Sequence, residues 1–359
     1  MPRIKLVFEQ IKEYIEQEAS SKKPGEFLNS EIQYSRLFNV SRPTVRKAID
    51  ILVNEGLVER VPGKGLRVPI PFQNNCSSKD NLKRTLLFLI SHSNDDGFFA
   101  RMVAACADAA NEKKYSYKLI NISDPEQRYV SLLNADLSEV CSAIITAYDN
   151  LYDRKLLAFL MEKNIPIVLA DNPSQHFNLP CVLSDDYKGG SLCAQYLLSK
   201  GHKNILYISL SNDIYTVKQR EKGFTEYFKS ANALLNSYKI LKVNNDIEAR
   251  EKIKEMIENK DFNFSAICGY SDLPVIYAYN VLSDLGIKIP EEVSLVGYGN
   301  FRHCELLNVP LTTIDIPVYE MGYKACTMAI ELYEGICKMQ KIVLDVKLIE
   351  RDSVKFNIN

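Results

Sequence analysis

The 359-residue chain has no apolar run near the ~18 residues that a membrane helix requires, and no apolar stretch at its start. Neither membrane insertion nor export is expected, and the reading is cytoplasmic. Metal-ligand spacing is missing as well. The nine cysteines include no Cys-x-x-Cys pair, and the four histidines, His92, His176, His202 and His303, are scattered. Most cysteines sit in apolar stretches such as "MVAACADAA" and "SAICGY", which predicts reduced, buried thiols rather than a disulfide framework or a zinc site. Catalytic signatures are also missing. There is no nucleophile elbow, no G-x-x-x-x-G-K-[ST] loop and no G-x-G-x-x-G after a strand. The adjacent pair Asp185–Asp186 lacks the convergent partners of an acid/base site and reads as a helix cap. Neither an enzyme nor a cofactor is therefore expected. Charge of one sign is scarce too: the chain carries a net −1. It is unevenly spread, because residues 1–70 hold 12 Lys and Arg against 9 Asp and Glu, leaving the remainder slightly acidic. Only this mildly basic head suits nucleic acid. With 46% hydrophobic residues, the chain has ample core for two or three domains.

The head has a legible order. Ile4, Val7, Phe8, Ile11, Tyr14 and Ile15 make a first amphipathic helix, which "KKPGEF" breaks. A short second helix starts with Ser30 as its cap. Ser41 caps a third, whose Val45, Ala48, Ile49 and Leu52 form one apolar face while Arg42, Arg46 and Lys47 project from it. Pro43 falls in the first turn, where its missing N–H does little harm, and Gly56 reads as the stop. "LVERV" (Leu57 to Val61), "PGKG" and "LRV" then read as strand, turn and return strand. Three helices and a two-stranded wing describe a winged helix-turn-helix. The third helix would enter a DNA major groove and the wing would reach the backbone.

"PIPFQNNCSSKDN" (Pro69 to Asn81) reads as a linker. Beyond it, short apolar runs alternate with helical patterns: "TLLFLI", "SAIIT", "IPIVLA", "NILYIS", "SAICG" and "VSLVG" are strands buried on both faces. The regular alternation predicts parallel sheets with crossover helices. There are too many units for one open sheet, and a break is expected near residues 171–184. The predicted class is α/β, a winged helix-turn-helix head plus a body of two doubly wound parallel-sheet lobes, with ligands bound beyond the carboxyl ends of the strands.

Two resemblances follow. "SRPTVR" (Ser41 to Arg46), "EGLVER" (Glu55 to Arg60) and "GKGLRV" (Gly63 to Val68) make residues 4–68 resemble the GntR family's DNA-binding domain. "DDYKGGSLCAQYLLSKGHKNILYIS", "REKGF", "IPEEVSLVGY" and "PLTTIDIPVYEMG" make residues 84–354 similar to the LacI/GalR effector domain, itself like periplasmic sugar-binding proteins. The combination resembles the arabinose-repressor-like group. It implies a head over residues 1–70, a linker over 71–83 and an effector-binding and dimerisation body over 84–354. The implied partners are an operator in double-stranded DNA, a second copy of the chain and a small effector. By resemblance, Ser30, Ser41, Arg42, Thr44 and Arg46 belong to the DNA-contacting surface, with Gly63, Lys64 and Gly65 letting the wing approach closely. Asn29 and Ile32 stand where the family has proline and arginine, so the operator is expected to differ from the common pattern.

The same resemblance assigns effector contacts to Phe98 and Phe99, whose rings stack on a sugar or a base, and to Thr216, Arg220, Ser271, Asp272 and Asn300. Arg220 is expected to grip two ligand oxygens with its fork. Asp272 has a competing reading as a helix cap, and His202 is expected to be structural. Gly299 replaces a carboxylate that relatives often use on ligand hydroxyls, so the hydroxyl pattern recognised here should differ. The effector reading is a carbohydrate, with a nucleobase or nucleoside as the alternative. A sugar-binding protein without DNA binding is the remaining possibility.

Overall fold

The computed structural model describes residues 7–23, 25–54, 57–61, 64–68, 83–90, 97–230, 237–336 and 340–357. Gly56, Gly63, His92 and residues 69–82 of the expected linker lie outside them.

In the head, α1 (Val7–Ser21), α2 (Glu31–Leu37) and α3 (Arg42–Asn54) precede β1 (Glu59–Val61) and β2 (Gly65–Arg67). The apolar spacing reads directly into the core. Ile11 and Ile15 of α1 meet Tyr34 of α2, Val45, Ala48, Ile49 and Leu52 of α3, and Leu66 of the wing. Ser30 caps α2 in a capping box: its hydroxyl accepts from the Gln33 N–H at 3.3 Å, and its own N–H donates to Gln33 Oε1 at 2.7 Å. The two wing strands pair antiparallel, with Arg60 opposite Leu66. The break after α1 proves to be a third wing element, since Phe27 bridges Arg67 and Leu28 N–H donates to the Leu66 carbonyl.

The body is built on two six-stranded sheets. The first lobe has strand order β13-β7-β6-β5-β3-β4, all parallel. Its strands are β3 (Thr85–Leu89), β4 (Ser116–Ile120), β5 (Val140–Ile145), β6 (Ile167–Ala170), β7 (Cys181–Ser184) and β13 (Lys341–Leu344). Alternate residues of β3 face opposite sides. Leu86 and Phe88 pack towards α4 (Phe98–Glu112) and α12 (Val318–Tyr333), while Leu87 and Leu89 pack towards α5 (Pro125–Leu133) and α6 (Leu151–Glu162).

The second lobe has strand order β14-β12-β11-β10-β8-β9. These are β8 (Asn204–Leu210), β9 (Ser237–Val243), β10 (Ala266–Gly269), β11 (Ser294–Gly299), β12 (Thr312–Asp315) and β14 (Lys347–Ile349). Only β14 runs antiparallel to its neighbour. α7 (Asp186–Ser199) and α8 (Tyr215–Ser230) cover one face, and α9 (Asp246–Glu258) and α10 (Asp272–Asp284) the other; the short α11 (His303–Leu306) follows β11.

The division between lobes differs from the expected single break at residues 171–184. β7 still belongs to the first sheet, so the chain crosses at Ser184–Asp186. It returns between β12 and α12 and crosses again between β13 and β14. Three crossings leave the lobes linked by three strands of backbone, and each lobe is assembled from separate stretches of sequence.

Candidate functional site

The head presents one basic surface. Arg42, Arg46 and Lys47 are exposed along α3, opposite its buried face, and Lys64 and Gly65 are exposed at the wing tip. Gly65 sits at φ 107° with open space around it, a backbone state that a side chain would strain. Ser41 and Thr44 join hydroxyl to hydroxyl at 2.9 Å over the first turn of α3. Arg46 donates from Nη2 to Glu31 Oε2 at 3.0 Å, and Arg60 of the wing bridges Asp50 and the same Glu31. The Arg46 bond is the main reason that the Glu31 carboxyl is held below its usual range. Glu31 thus orders an arginine of α3 and one of the wing from the start of α2. Ile32 is 41% exposed on that helix.

The body's expected effector residues all lie in the helices and turns that follow β3, β8, β10 and β11. Phe98 and Phe99 open α4, with ring centroids 5.1 Å apart and planes at 78°. Both are buried, at 6% and 7% exposure, so neither offers a broad open face. Thr216 and Arg220 lie on α8, and both are buried. Thr216 N–H donates to Asn172 Oδ1 at 3.3 Å, a bond between the second lobe's helix and the turn after β6 of the first lobe. Asn172 is steadied in turn by its Nδ2 donating to Asp171 Oδ2 at 2.7 Å, and Asp171 itself adopts φ 74°.

Arg220 is held on three sides. Its Nε donates to Asp186 Oδ1 at 2.7 Å, its Nη1 donates to the Tyr270 carbonyl at 2.7 Å, and its guanidinium lies 4.1 Å from the Tyr298 ring centroid. The Tyr298 hydroxyl donates to the same Asp186 oxygen at 3.1 Å, and Ser184 Oγ donates to Oδ2 at 3.1 Å. Three donors converging on one carboxylate match its ionised, acceptor-only form. Burial pushes the Asp186 carboxyl up while Arg220 opposes it; the three donors favour the charged pair. Ser271, next to Tyr270, precedes α10 and makes no side-chain cap bond, so its hydroxyl is not spent on the helix.

Two expected contacts have other duties. Asp272 is fully buried, its Oδ1 accepting from Thr313 Oγ1 at 2.5 Å and its Oδ2 from the Phe301 N–H at 2.8 Å. It fastens α10 to β12 and to the turn after β11, with none of its surface exposed. Neither does it cap its own helix. Asn300, at φ 54°, donates from Nδ2 to Asp315 at 2.9 Å and accepts from Arg351 Nη2 at 2.8 Å. Gly299 beside it is at φ 129°, and a Cβ there would meet the Phe301 ring at 2.6 Å, so a carboxylate side chain would not fit there without a shift of that ring. His202 is structural in its contacts, with Nδ1 3.0 Å from Ser265 Oγ and Nε2 3.1 Å from the Lys355 carbonyl.

Sequence reasoning missed Asp186, Tyr298 and the Asp171–Asn172 turn. Asp185 does cap α7, accepting from the Lys188 N–H at 2.9 Å. Asp186 is a different residue in kind, pointing inward to Arg220. The signal was the glycine pair after it. A Cβ on Gly189 would fall 2.1 Å from the Tyr298 hydroxyl, and one on Gly190 would fall 1.9 Å from the Arg220 carbonyl oxygen. "DDYKGG" and "REKGF" are two halves of one close helix contact, because Gly223 of α8 faces the Tyr187 carbonyl in the same way. Among the described residues no cluster of His, Cys, Asp and Glu is suited to a metal ion, and no helix is long and apolar enough to cross a membrane.

Residues 83–351 match the family model for periplasmic binding proteins and the sugar binding domain of the LacI family, and residues 5–68 match that for bacterial regulatory proteins of the gntR family. The chain is 28% identical over 351 residues to the arabinose metabolism transcriptional repressor of Geobacillus stearothermophilus, covering 93% of each. It is 27% identical over 340 residues to that of Halalkalibacterium halodurans, covering 91% of this chain and 90% of the other. Among solved structures, a LacI family transcriptional regulator from Enterococcus faecalis with bound ribose has a TM-score of 0.66 at 22% identity, covering 76% of this chain and 99% of that one. A transcriptional regulator CelR–cellobiose complex has a TM-score of 0.66 at 22% identity, covering 89% and 94%.

Proposed function

The chain belongs to the family of periplasmic binding proteins and LacI-type sugar binding domains, and on that premise we propose that it is a transcriptional repressor whose grip on DNA is controlled by a small carbohydrate. In this reading residues 1–70 bind DNA, 71–83 link, and 84–354 bind the effector and pair two copies. The observation that carries it is the joining, in one chain, of a basic winged helix-turn-helix surface and a two-lobed body with a buried arginine beyond the strand ends. The arabinose repressors resemble this chain across head and body alike.

Two copies would set two α3 helices on symmetric half-sites of a near-palindromic operator. An effector touching both lobes stabilises one arrangement of them, and only such a difference shifts the DNA equilibrium. The match to the sugar binding domain of the LacI family, and the likeness to regulators solved with bound ribose and cellobiose, favour a sugar over a nucleobase.

The test is a thermal-shift panel of free pentoses, hexoses, disaccharides and nucleobases, followed by operator titrations with and without the best ligand. A ligand at ~100 times its dissociation constant adds about 2.7 kcal/mol to stability. A shift from nucleobases alone would sink the carbohydrate reading. A chain that binds no DNA duplex at low salt would sink the regulator reading.

A further inference from the structure

We infer that Asp186, seconded by the Tyr298 hydroxyl, is the positioning residue for Arg220: it turns the guanidinium so that one edge faces the cleft and cancels its charge, so that the site selects an uncharged, hydroxyl-bearing ligand over its phosphorylated form. The inference rests on the cleft being the effector site.

Arg220 carries five N–H donors in a fixed plane. The Nε donor goes to Asp186 and one Nη1 donor to the Tyr270 carbonyl. These two bonds, 2.7 Å each, fix the plane of the fork, and the Tyr298 ring beneath it fixes its height. Among the described residues Nη2 has no hydrogen-bond partner, and it is left as the edge available to a ligand. The side chains of Arg220 and Asp186 are 9% and 1% exposed, so the pair is screened little by solvent.

Charge follows from the same geometry. An uncompensated arginine in a cleft draws anions, and a phosphate would be its natural partner. With Asp186 ionised at 2.7 Å the pair is neutral from a distance, and Asp171 adds a further carboxylate near it. The local field therefore opposes a phosphate, while Nη2 still donates to neutral hydroxyls. Burial and the neighbouring Asp186 both push the Tyr298 phenol well up, so it stays protonated and donates to the carboxylate. The fold protects the arrangement, because any side chain on Gly189 would displace the Tyr298 hydroxyl.

The experiment is calorimetric titration of the full chain, wild type, Asp186→Asn and Tyr298→Phe, with D-ribose, L-arabinose and cellobiose and with ribose 5-phosphate and arabinose 5-phosphate. Wild type is expected to bind a free sugar at least tenfold more tightly than its phosphate. Asp186→Asn should weaken the free sugar about tenfold and bring the phosphate to parity, with phosphate binding now falling as salt rises. Tyr298→Phe should move the same ratio in the same direction by less. It also carries the test if Asp186→Asn fails to fold. An unchanged ratio in the variant that folds overturns the inference. If wild type binds no free sugar, the carbohydrate reading itself has failed. The Arg220 Nε–H resonance then decides this inference alone. Slow hydrogen exchange in wild type, lost in Asp186→Ala, supports it, and rapid exchange in wild type overturns it.

Discussion

Asp186 and Arg220 meet at 2.7 Å inside the second lobe, one at the first residue of α7 and the other in the second turn of α8, with almost none of either side chain in water. Removing one partner strands the other. Arg220→Ala is expected to cost about 3–5 kcal/mol of stability by leaving a buried carboxylate unpaired, whereas Arg220→Met with Asp186→Leu should recover most of it. Urea unfolding of Arg220→Met, Asp186→Leu and the double variant measures this. A near-additive double variant would mean that the pair is not coupled. Arg220→Met with Asp186→Leu should also lose effector binding by roughly 10- to 150-fold, the loss of hydrogen bonds totalling about 1.5–3 kcal/mol.

Gly190→Ala is expected to destabilise the body by about 1–3 kcal/mol, because the new methyl would fall 1.9 Å from a backbone oxygen that cannot move independently of α8. Gly286→Ala is the control: it has open space but φ 73°, so its cost comes from backbone conformation without any clash. Crystal structures of both variants would separate α7 from α8 only in the first.

On DNA, Arg42→Ala and Arg46→Ala should each weaken operator binding by about 1–3 kcal/mol if they read bases. Lys64→Ala should weaken every sequence alike and reduce the slope of affinity against salt by about one, as expected of a phosphate contact. Fluorescence anisotropy on operator and scrambled duplexes distinguishes the two patterns. Operator affinity untouched by both arginine changes would remove α3 from the interface.

The body should hold two copies together. Tyr117 and Leu119 are each 41% exposed on one face of β4, the edge strand of the first sheet. An apolar edge of this kind invites a partner. A fragment of residues 84–359 should sediment as a dimer at micromolar concentration and Leu119→Lys as a monomer. A monomeric wild-type fragment would refute body-mediated pairing.

Stability should fall on acidification through His202. Burial lowers its pKa below the ordinary imidazole value of 6.5. The unfolded chain therefore takes up a proton before the folded one, and the stabilisation present above about pH 6.5 is lost as pH falls towards the folded value. His202→Asn should flatten the difference between pH 7.5 and pH 5.5 in chemical unfolding. An equal difference in both proteins would place the acid sensitivity elsewhere.

Much of this molecule was legible in its sequence. The apolar faces of α1 and α3, the Ser30 cap and the continuous apolar runs of β3, β5, β6, β8, β10 and β11 all follow from periodicity and local hydrogen bonding. β7, β12, β13 and β14 were not, because three or four residues without a periodic pattern do not distinguish a strand from a loop. The crossings between lobes escaped for a related reason: β13 pairs with β7 across more than 150 residues of chain, and no local preference encodes that. At the site, residue types were readable but their orientation was not. Asp272 and Asp186 are both acidic, both near a helix start and both buried. Only tertiary contacts show that the first fastens β12 and the second holds Arg220. The Asn172–Thr216 bond needs two lobes in place before either residue acquires its partner.

The three crossings also set a timetable for synthesis. The head, ending at Val68, can close as soon as it leaves the ribosome. The first lobe cannot, since α12 and β13 are translated after every other element of that lobe, and until they arrive the face of α4 that Gly322 later approaches has no cover. The inner strands of the second lobe, β8, β10 and β11, emerge before that cover does. The nascent chain thus carries an unfinished first lobe while those strands are made, with the side chains of Met102, Cys106 and Ala109 as the surface that a chaperone would meet.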